Sequence, residues 1–190
     1  MLIRLTPYID KGAIISADER YRYLLWREWR TPGNARNWIW HGKPGEPDAY
    51  KEPRPCVFVM LNPSTADGES DDMTIRKCVA YARRWNYERL EVVNLFAYRA
   101  TDPCALLALS YADDPVGTRN QEYFGRVMDR GGTVICAWGA HGGHLGQDET
   151  VLGWLDDERC FTLGLTKDGH PRHPLYLPLS AEPTRFSGRW

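Results

Sequence analysis

The stretch that decides the fold runs from Cys56 to Thr74 and reads CVFVMLNPSTADGESDDMT. Its first six residues form an apolar run that is too short for a helix and lacks two-residue alternation, which predicts a strand buried on both faces of a parallel sheet. The strand is expected to end at Asn62, because Pro63 fixes its own φ and restricts the residue before it. A polar side chain is therefore expected at the carboxyl edge of a central strand, where open α/β sheets bind their ligands.

Three further apolar runs predict strands, and the segments between them predict helices. Because strands and helices alternate, we expect an α/β fold with a central parallel four-stranded sheet that is flanked by helices on both faces. Asp72 is the expected N-cap of the first helix. The further strands are expected at 90–96, 133–138 and 160–163, and the helices at 73–85, 105–109, 118–130 and 147–155.

The N-terminal segment has a different pattern. Tyr21, Tyr23, Leu25 and Trp29 are spaced evenly, which predicts an antiparallel β unit with one covered face. The arginines between and beside them are expected on a solvated strand face, with phosphate contact as the alternative: Arg20, Arg22, Arg27 and Arg30.

We expect one domain over residues 1–190. The segment 31–55 is rich in Pro, Gly and Asn and shows no period, which predicts a long loop. Its Trp38 and Trp40 are expected either to form a stacking surface or to anchor the loop. The domain is then divided into the N-terminal β unit at 1–30, the loop at 31–55, the core at 56–178 and a tail at 179–190.

Composition excludes several classes of protein. The chain has 24 basic and 25 acidic residues, which argues against a protein that coats nucleic acid non-specifically but leaves room for a local basic face. There is no apolar leader and no apolar run near 18 residues, so we expect a cytoplasmic protein without a membrane segment. The five cysteines are dispersed and are expected to be small buried apolar residues. We expect no metal, no cofactor and no obligate protein partner.

Polar or turn-forming residues follow each predicted core strand. They are Asn62, Asn94, Gly139 and the His173-Pro174 pair, and they are expected to converge on one crevice. Asparagine supplies both a donor and an acceptor, which suits it to orienting water and to reading the edge of a base. A histidine beside such a site can stabilise a departing anion or contact phosphate. The chain lacks the glycine-rich patterns of nucleoside triphosphate and dinucleotide sites.

In their order, these motifs resemble the uracil-DNA glycosylase superfamily. The Asn62-Pro63 junction resembles its first motif, and Val93-Asn94-Leu95 resembles the strand whose Asn recognises the flipped base. The run from Ile135 to Ala140 resembles its strand that ends in Trp-Gly, and His173-Pro174 resembles its terminal motif. The resemblance implies a fold of this type.

A second resemblance is closer and spans roughly residues 13–178. The segments Asn62–Asp67, Asn94–Arg99 and His173–Tyr176 resemble domain of unknown function family 1643, which occurs in phages and bacteria. The chain also resembles a DNA glycosylase of antiphage defence that removes glucosylated hydroxymethylcytosine from viral DNA. The resemblance implies double-stranded DNA with a modified base as the partner.

The resemblance also implies roles for individual residues. Asn62 would orient the attacking water, and His173 would stabilise the departing base. Asp67, or else Asp71 or Asp72, would act as general base or stabilise the sugar cation, with a solvated turn and a helix cap as the structural alternative for these aspartates. No cofactor is needed, and a monofunctional enzyme would leave an abasic site. The base-binding residues would be Asn94, Trp138, Ser64 and Tyr98, and the DNA-binding residues Arg99, Lys167, Arg172 and Arg83.

The sequence departs from the uracil-specific pattern after Pro63. No aromatic residue follows there, and the small Ser64-Thr65-Ala66 segment leaves room for a base bulkier than uracil. Two other readings stay open, a non-catalytic reader of modified DNA and a hydrolase or transferase of free modified nucleosides. The near-neutral charge favours both, because duplex binding draws on phosphate contacts. Asn62, Asn94 and His173 also have structural alternatives, as a turn cap, a partner of buried backbone and a surface loop residue.

Overall fold

The computed structural model describes residues 7–31, 38–41, 50–155 and 157–188, with backbone only at 38–41, 50–51 and 157. The strands are β1 (Asp10–Ile15), β2 (Arg22–Glu28), β3 (Trp38–His41), β4 (Tyr50–Pro53), β5 (Pro55–Met60), β6 (Arg89–Asn94), β7 (Thr133–Cys136), β8 (Cys160–Thr162) and β9 (Thr184–Arg185). The α-helices are α1 (Met73–Arg84), α2 (Pro103–Leu107), α3 (Asn120–Asp129) and α4 (Gln147–Leu152). None of the helices in the described part is long and apolar enough to cross a membrane.

The main sheet is mixed and has seven strands in the order β1-β2-β6-β5-β7-β8-β9. The four neighbours β6, β5, β7 and β8 pair in parallel. β2 joins β6 antiparallel, and β1 joins β2 antiparallel. The sequence therefore predicted the α/β class, but the sheet is wider than the expected four strands, because the N-terminal unit and the tail both extend it.

Helices cover both faces of this sheet. α1 packs on one face, where Ile75 and Val79 share a buried cluster with Phe58. α3 and α4 pack on the other face, where Phe124 and Val151 share a cluster that includes strand residues of β5, β6 and β7. β5 is fully buried, as its apolar run predicts.

α1 begins where the sequence predicts. The Asp72 carboxylate accepts the N–H of Ile75 at 2.8 Å, so the side chain caps the helix. The cap fixes the direction in which α1 leaves the loop after β5. The carboxyl edge of β5 and the first turn of α1 therefore face the same space.

Two segments contain more regular structure than expected. The described part of the predicted loop at 31–55 forms a two-stranded antiparallel sheet of β3 and β4. The side chains of Trp38 and Trp40, for which stacking or anchoring is predicted, lie outside the described residues. The predicted tail contributes β9, which pairs with β8 at the edge of the main sheet. Both strand pairs, β3 with β4 and β8 with β9, are too short for hydrophobic periodicity to be recognised in the sequence.

The predicted solvated face of β2 is wrong for two of its arginines. Arg22 is 3 % exposed and Arg27 is 0 % exposed. β2 lies inside the sheet, and the pairing with β1 shifts between Ile14 and Ile15, so that β2 contains one extra residue there. As a result Arg22 and Arg27 both donate to the loop after β5, to the carbonyls of Ala66 and Asp67. A second correction concerns Cys104, which is exposed rather than buried.

Candidate functional site

A cavity of about 630 Å³ opens at the carboxyl edge of the parallel strands. The structure brings together there the four features that follow the predicted strands. Asn62 follows β5, Asn94 ends β6, the Trp138-Gly139 turn follows β7, and His173 lies in the loop after β8; all of them line this cavity.

Asn62 presents its amide in one fixed orientation. Its Nδ2 donates to the carbonyl oxygens of Ala100 at 2.8 Å and of Pro63 at 3.1 Å. Among the described residues, no donor reaches Asn62 Oδ1. The side chain thus anchors the turn and also offers a free acceptor to the cavity.

Asn94 is a deeply buried polar side chain of the site. It is 1 % exposed and lines the cavity, yet neither Nδ2 nor Oδ1 has a hydrogen-bond partner among the described residues. Its backbone carbonyl is held separately, by Asn120 Nδ2 at 2.9 Å. The Asn94 side chain therefore does not serve the backbone, which was its structural alternative.

The turn after β7 depends on two glycines. Gly139 has φ +80°, where L side chains are strained, and its N–H donates to the Pro171 carbonyl at 2.7 Å. A Cβ on Gly142 would lie 2.1 Å from Cδ1 of Trp138, so only glycine fits there. The Trp138 ring packs edge-on against Phe186, and its Nε1 is buried without a partner.

His173 is arranged as a neutral donor. Burial lowers its pKa below the ordinary value, against the opposing effect of the Asp72 carboxylate. Its Nδ1 accepts the N–H of Leu175 at 3.4 Å, which assigns the proton of the neutral ring to Nε2. His173 can thus donate from Nε2 to a ligand oxygen at neutral pH.

The three candidate aspartates have different environments. Asp72 lines the cavity, whereas Asp67 and Asp71 do not. Asp71 pairs with Arg27 at 2.7 Å. Asp67 accepts the N–H groups of Ser70 and Glu69, which lower the pKa of its carboxyl group and make it a weaker base. Of the three, Asp72 is the one that can reach a ligand in the cavity.

A family model described as protein of unknown function (DUF1643) matches residues 22–175. The chain belongs to the DUF1643 family. This confirms the closer of the two resemblances, and the match runs from Arg22 through the loop that holds His173. No curated protein and no solved structure matches the chain.

The remaining predicted site residues of this DUF1643 protein divide into two groups. Ser64 and the exposed Arg172 line the cavity. Tyr98 packs edge-on against Tyr21 at 6.3 Å, and Arg99 donates to the Glu19 carbonyl at 3.1 Å. The Arg83 guanidinium lies over the Trp29 ring at 4.6 Å, and Lys167 is exposed. These four residues do not line the cavity: Tyr98, Arg99, Arg83 and Lys167.

Arg22 and Tyr176 are among the lining residues that are not predicted as site residues, although phosphate contact is the predicted alternative for Arg22. Arg22 lines the cavity from β2, and Tyr176 is 77 % exposed at its edge. Two-residue alternation puts Arg27 on the covered face with Leu25 and Arg22 on the opposite face, so the sequence gives no signal for the burial of Arg22. It gives none for Tyr176 either. Within the described ranges, no group of three or more His, Cys, Asp or Glu side chains is placed to hold a metal ion.

Proposed function

We propose that this protein is a monofunctional DNA glycosylase that hydrolyses the N-glycosidic bond of a flipped, modified pyrimidine. The observation that carries the proposal is a concentration of unsatisfied polar atoms. Within the described ranges, four buried atoms without a hydrogen-bond partner belong to residues that line the cavity: Arg22 Nε, Asn94 Nδ2, Asn94 Oδ1 and Trp138 Nε1. Each such atom costs about 1 to 3 kcal/mol when it stays unpaired, so the cavity is preorganised for a polar ligand.

The chemistry of Asn94 favours a nucleobase as that ligand. Its amide needs one acceptor and one donor side by side, and pyrimidine edges present such a pair. An enzyme reaches the base of a duplex by flipping it into a closed pocket, at a cost of a few kcal/mol. The hydrogen bonds to Asn94 offset part of that cost only for a base with the matching edge.

The size of the cavity favours a modified base. At about 630 Å³ it is in the range of pockets that hold drug-sized ligands, about 300 to 1,000 Å³. A bare pyrimidine ring leaves much of this space unfilled. Ser64 lines the cavity where a larger side chain would narrow it. A glucosylated hydroxymethylcytosine is the substrate that we propose, within antiviral defence against phage.

The proposed reaction breaks the C1′–N bond, and its electron pair leaves with the base. His173 donates from Nε2 to an oxygen of the base and stabilises its developing negative charge. Asn62 Oδ1 orients a water molecule toward C1′. Asp72 accepts the proton of that water, whose oxygen bonds to C1′ and leaves an abasic site.

The edge of the cavity supports contact with DNA. Tyr176 is 77 % exposed and Met73, at the first position of α1, is 71 % exposed. Large apolar side chains that stand free beside a pocket can enter the base stack and hold a duplex open after flipping. Arg172 is exposed at the same cavity and supplies a charge for the phosphate backbone.

Release of base from DNA tests the proposal. Duplexes that carry cytosine, uracil or glucosylated hydroxymethylcytosine are incubated with the protein, and free base is measured by mass spectrometry. We expect release from the glucosylated duplex alone. If none is released while the protein binds that duplex, the protein is a reader. If modified nucleosides but no duplex are hydrolysed, the free nucleoside is the substrate.

Two isosteric variants assign the general base. Asp72→Asn and Asp67→Asn each remove one charge and keep the Oδ1 acceptor that caps the local backbone. We expect Asp72→Asn to slow release at least 100-fold, because general base catalysis contributes about 10² to 10⁴. Asp67→Asn is expected to slow it less than threefold. If Asp67→Asn slowed base release more than Asp72→Asn, Asp67 would be the general base.

A further inference from the structure

Arg22 and Arg27 are two buried arginines of one strand that differ in their partners. Every guanidinium nitrogen of Arg27 is engaged: Nε pairs with Asp71 at 2.7 Å, and Nη1 and Nη2 donate to four carbonyls. Arg22 donates from Nη1 to Ala66 at 2.7 Å, its Nε is buried without a partner, and no described carboxylate lies within 4.0 Å of it. Both arginines thus hold the loop after β5, but Arg27 engages every guanidinium nitrogen, whereas Arg22 engages only Nη1 among the described residues.

The guanidinium of Arg22 remains a cation despite its burial. Desolvation lowers its pKa to about 10, and the Asp72 carboxylate partly opposes this effect. A buried charge without a close counter-charge costs free energy that a paired one recovers. An anion that binds in the cavity beside Arg22 would complete such a pair.

The first turn of α1 faces the same cavity. Thr74 and Ile75 line it together with Arg22. α1 has 12 residues, and an α-helix of this length directs unpaired N–H groups and a partial positive charge toward its N-terminal end. Of the carboxylates in the described part of the chain, Asp72, the N-cap, is the one that lines this region. Its Oδ1 is occupied by the N–H of Ile75.

We propose that Arg22 and the first turn of α1 form a phosphate subsite, which binds a phosphate of the nucleotide whose base reaches Asn94. The inference rests on the proposed function, because both concern the same nucleotide in the same cavity. The subsite adds a phosphate to the groups that the cavity recognises. It does not require cleavage of the glycosidic bond. The phosphate belongs either to a free 5′-monophosphate or to the DNA backbone at the flipped nucleotide.

Binding measurements test the subsite without catalysis. The first arm compares 2′-deoxycytidine with its 5′-monophosphate, together with inorganic phosphate, by calorimetry. The second arm compares a duplex that carries a tetrahydrofuran abasic site with the same duplex in which the adjacent linkage is a neutral methylphosphonate. We expect the protein to bind the anionic ligand at least tenfold more tightly than its neutral counterpart. This preference is expected in the first arm if the phosphate belongs to a free monophosphate, and in the second arm if it belongs to the DNA backbone.

Arg22→Gln is the test variant and Arg76→Gln the charge-matched control. Arg76 is exposed on α1 and does not line the cavity. We expect Arg22→Gln to reduce the preference to less than twofold, Arg22→Lys to retain part of it, and Arg76→Gln to keep it. Circular dichroism and the midpoint of thermal unfolding establish that each variant folds.

Two results overturn the subsite. One is a wild-type protein that binds the anionic and neutral members equally in both arms. The other is a folded Arg22→Gln variant that keeps the full preference, which would leave Arg22 only its hydrogen bond to the Ala66 carbonyl. The proposed function fails separately: if no base is released but the Arg22-dependent preference is present, the phosphate subsite stands without the glycosylase.

Discussion

Asn94 and Asn120 are both buried asparagines, but they differ in what they hold. Asn120 donates to the carbonyls of Asn94 and Leu95 at 2.9 and 3.1 Å, whereas the Asn94 amide holds nothing. We expect Asn120→Leu to lower the free energy of unfolding by about 1 to 3 kcal/mol, because two carbonyls lose their donor. We expect Asn94→Leu, of similar shape, to leave it unchanged or higher and to abolish base release. Urea unfolding and the release assay measure both.

The comparison contradicts the ligand role of Asn94 if the two variants are equally destabilised. In that case the Asn94 amide would be part of the folded scaffold. Retained base release in a stable Asn94→Leu protein would also remove it from recognition.

His173 makes the stability and the activity depend on pH in the same direction. Burial lowers its pKa in the folded protein, so the unfolded chain takes up the proton more readily. The free energy of unfolding is therefore expected to fall as the pH drops below about 6.5, the ordinary value for histidine. Base release is expected to fall with it, because protonation of Nδ1 removes the acceptor of the Leu175 N–H that orients the ring. Urea unfolding and rates between pH 5 and 8 measure the two effects.

His173→Gln is the control for this pH dependence. Glutamine keeps a donor and does not titrate, so this part of the acid loss in both measurements is expected to disappear. An acid limb of the rate that is centred at or above pH 6.5, or one that persists in His173→Gln, would assign the titration to another group.

At the scale of the element, the turn after β7 allows a paired test of backbone geometry. Gly139 and Gly146 both have positive φ, at +80° and +61°. Alanine at either position is expected to cost about 1 to 2 kcal/mol of unfolding free energy, the penalty of the left-handed region. Gly139→Ala is expected also to reduce base release at least tenfold, because the turn positions Trp138 and contacts the loop of His173. A Cβ on Gly146 meets open space, so its variant tests strain alone.

Equal loss of activity in the two glycine variants would show that lowered stability, not the geometry of the turn, limits the reaction. Thermal unfolding of both proteins, measured beside the release assay, distinguishes these outcomes.

The parallel strands and the candidate site differ in how far local sequence determines them. β5 is predicted because six consecutive apolar residues require burial on both faces, and the cap at Asp72 is predicted because its chemistry is local. The burial of Arg22 is not predictable in this way. It depends on a register shift between β1 and β2 and on the position of β2 between two neighbours, which are tertiary facts. The same holds for the choice of Asp72 over Asp67, since both follow the same strand.

At the scale of the whole molecule, the net charge of −1 limits how DNA can be held. Arg172 is the exposed cation that lines the cavity, and Lys167 is exposed nearby in sequence. Phosphate contacts by Arg172 and Lys167 predict that the logarithm of the binding constant falls with the logarithm of salt concentration at a slope of about −2, and of about −3 where Arg22 also binds a phosphate of the duplex. Arg172→Gln is expected to bring that slope about 1 unit nearer to zero, and Arg126→Gln, on α3 away from the cavity, to leave it unchanged. A slope steeper than about −5 would require a local basic face that binds more phosphates than these side chains do. Binding to abasic duplex at several salt concentrations measures the slope.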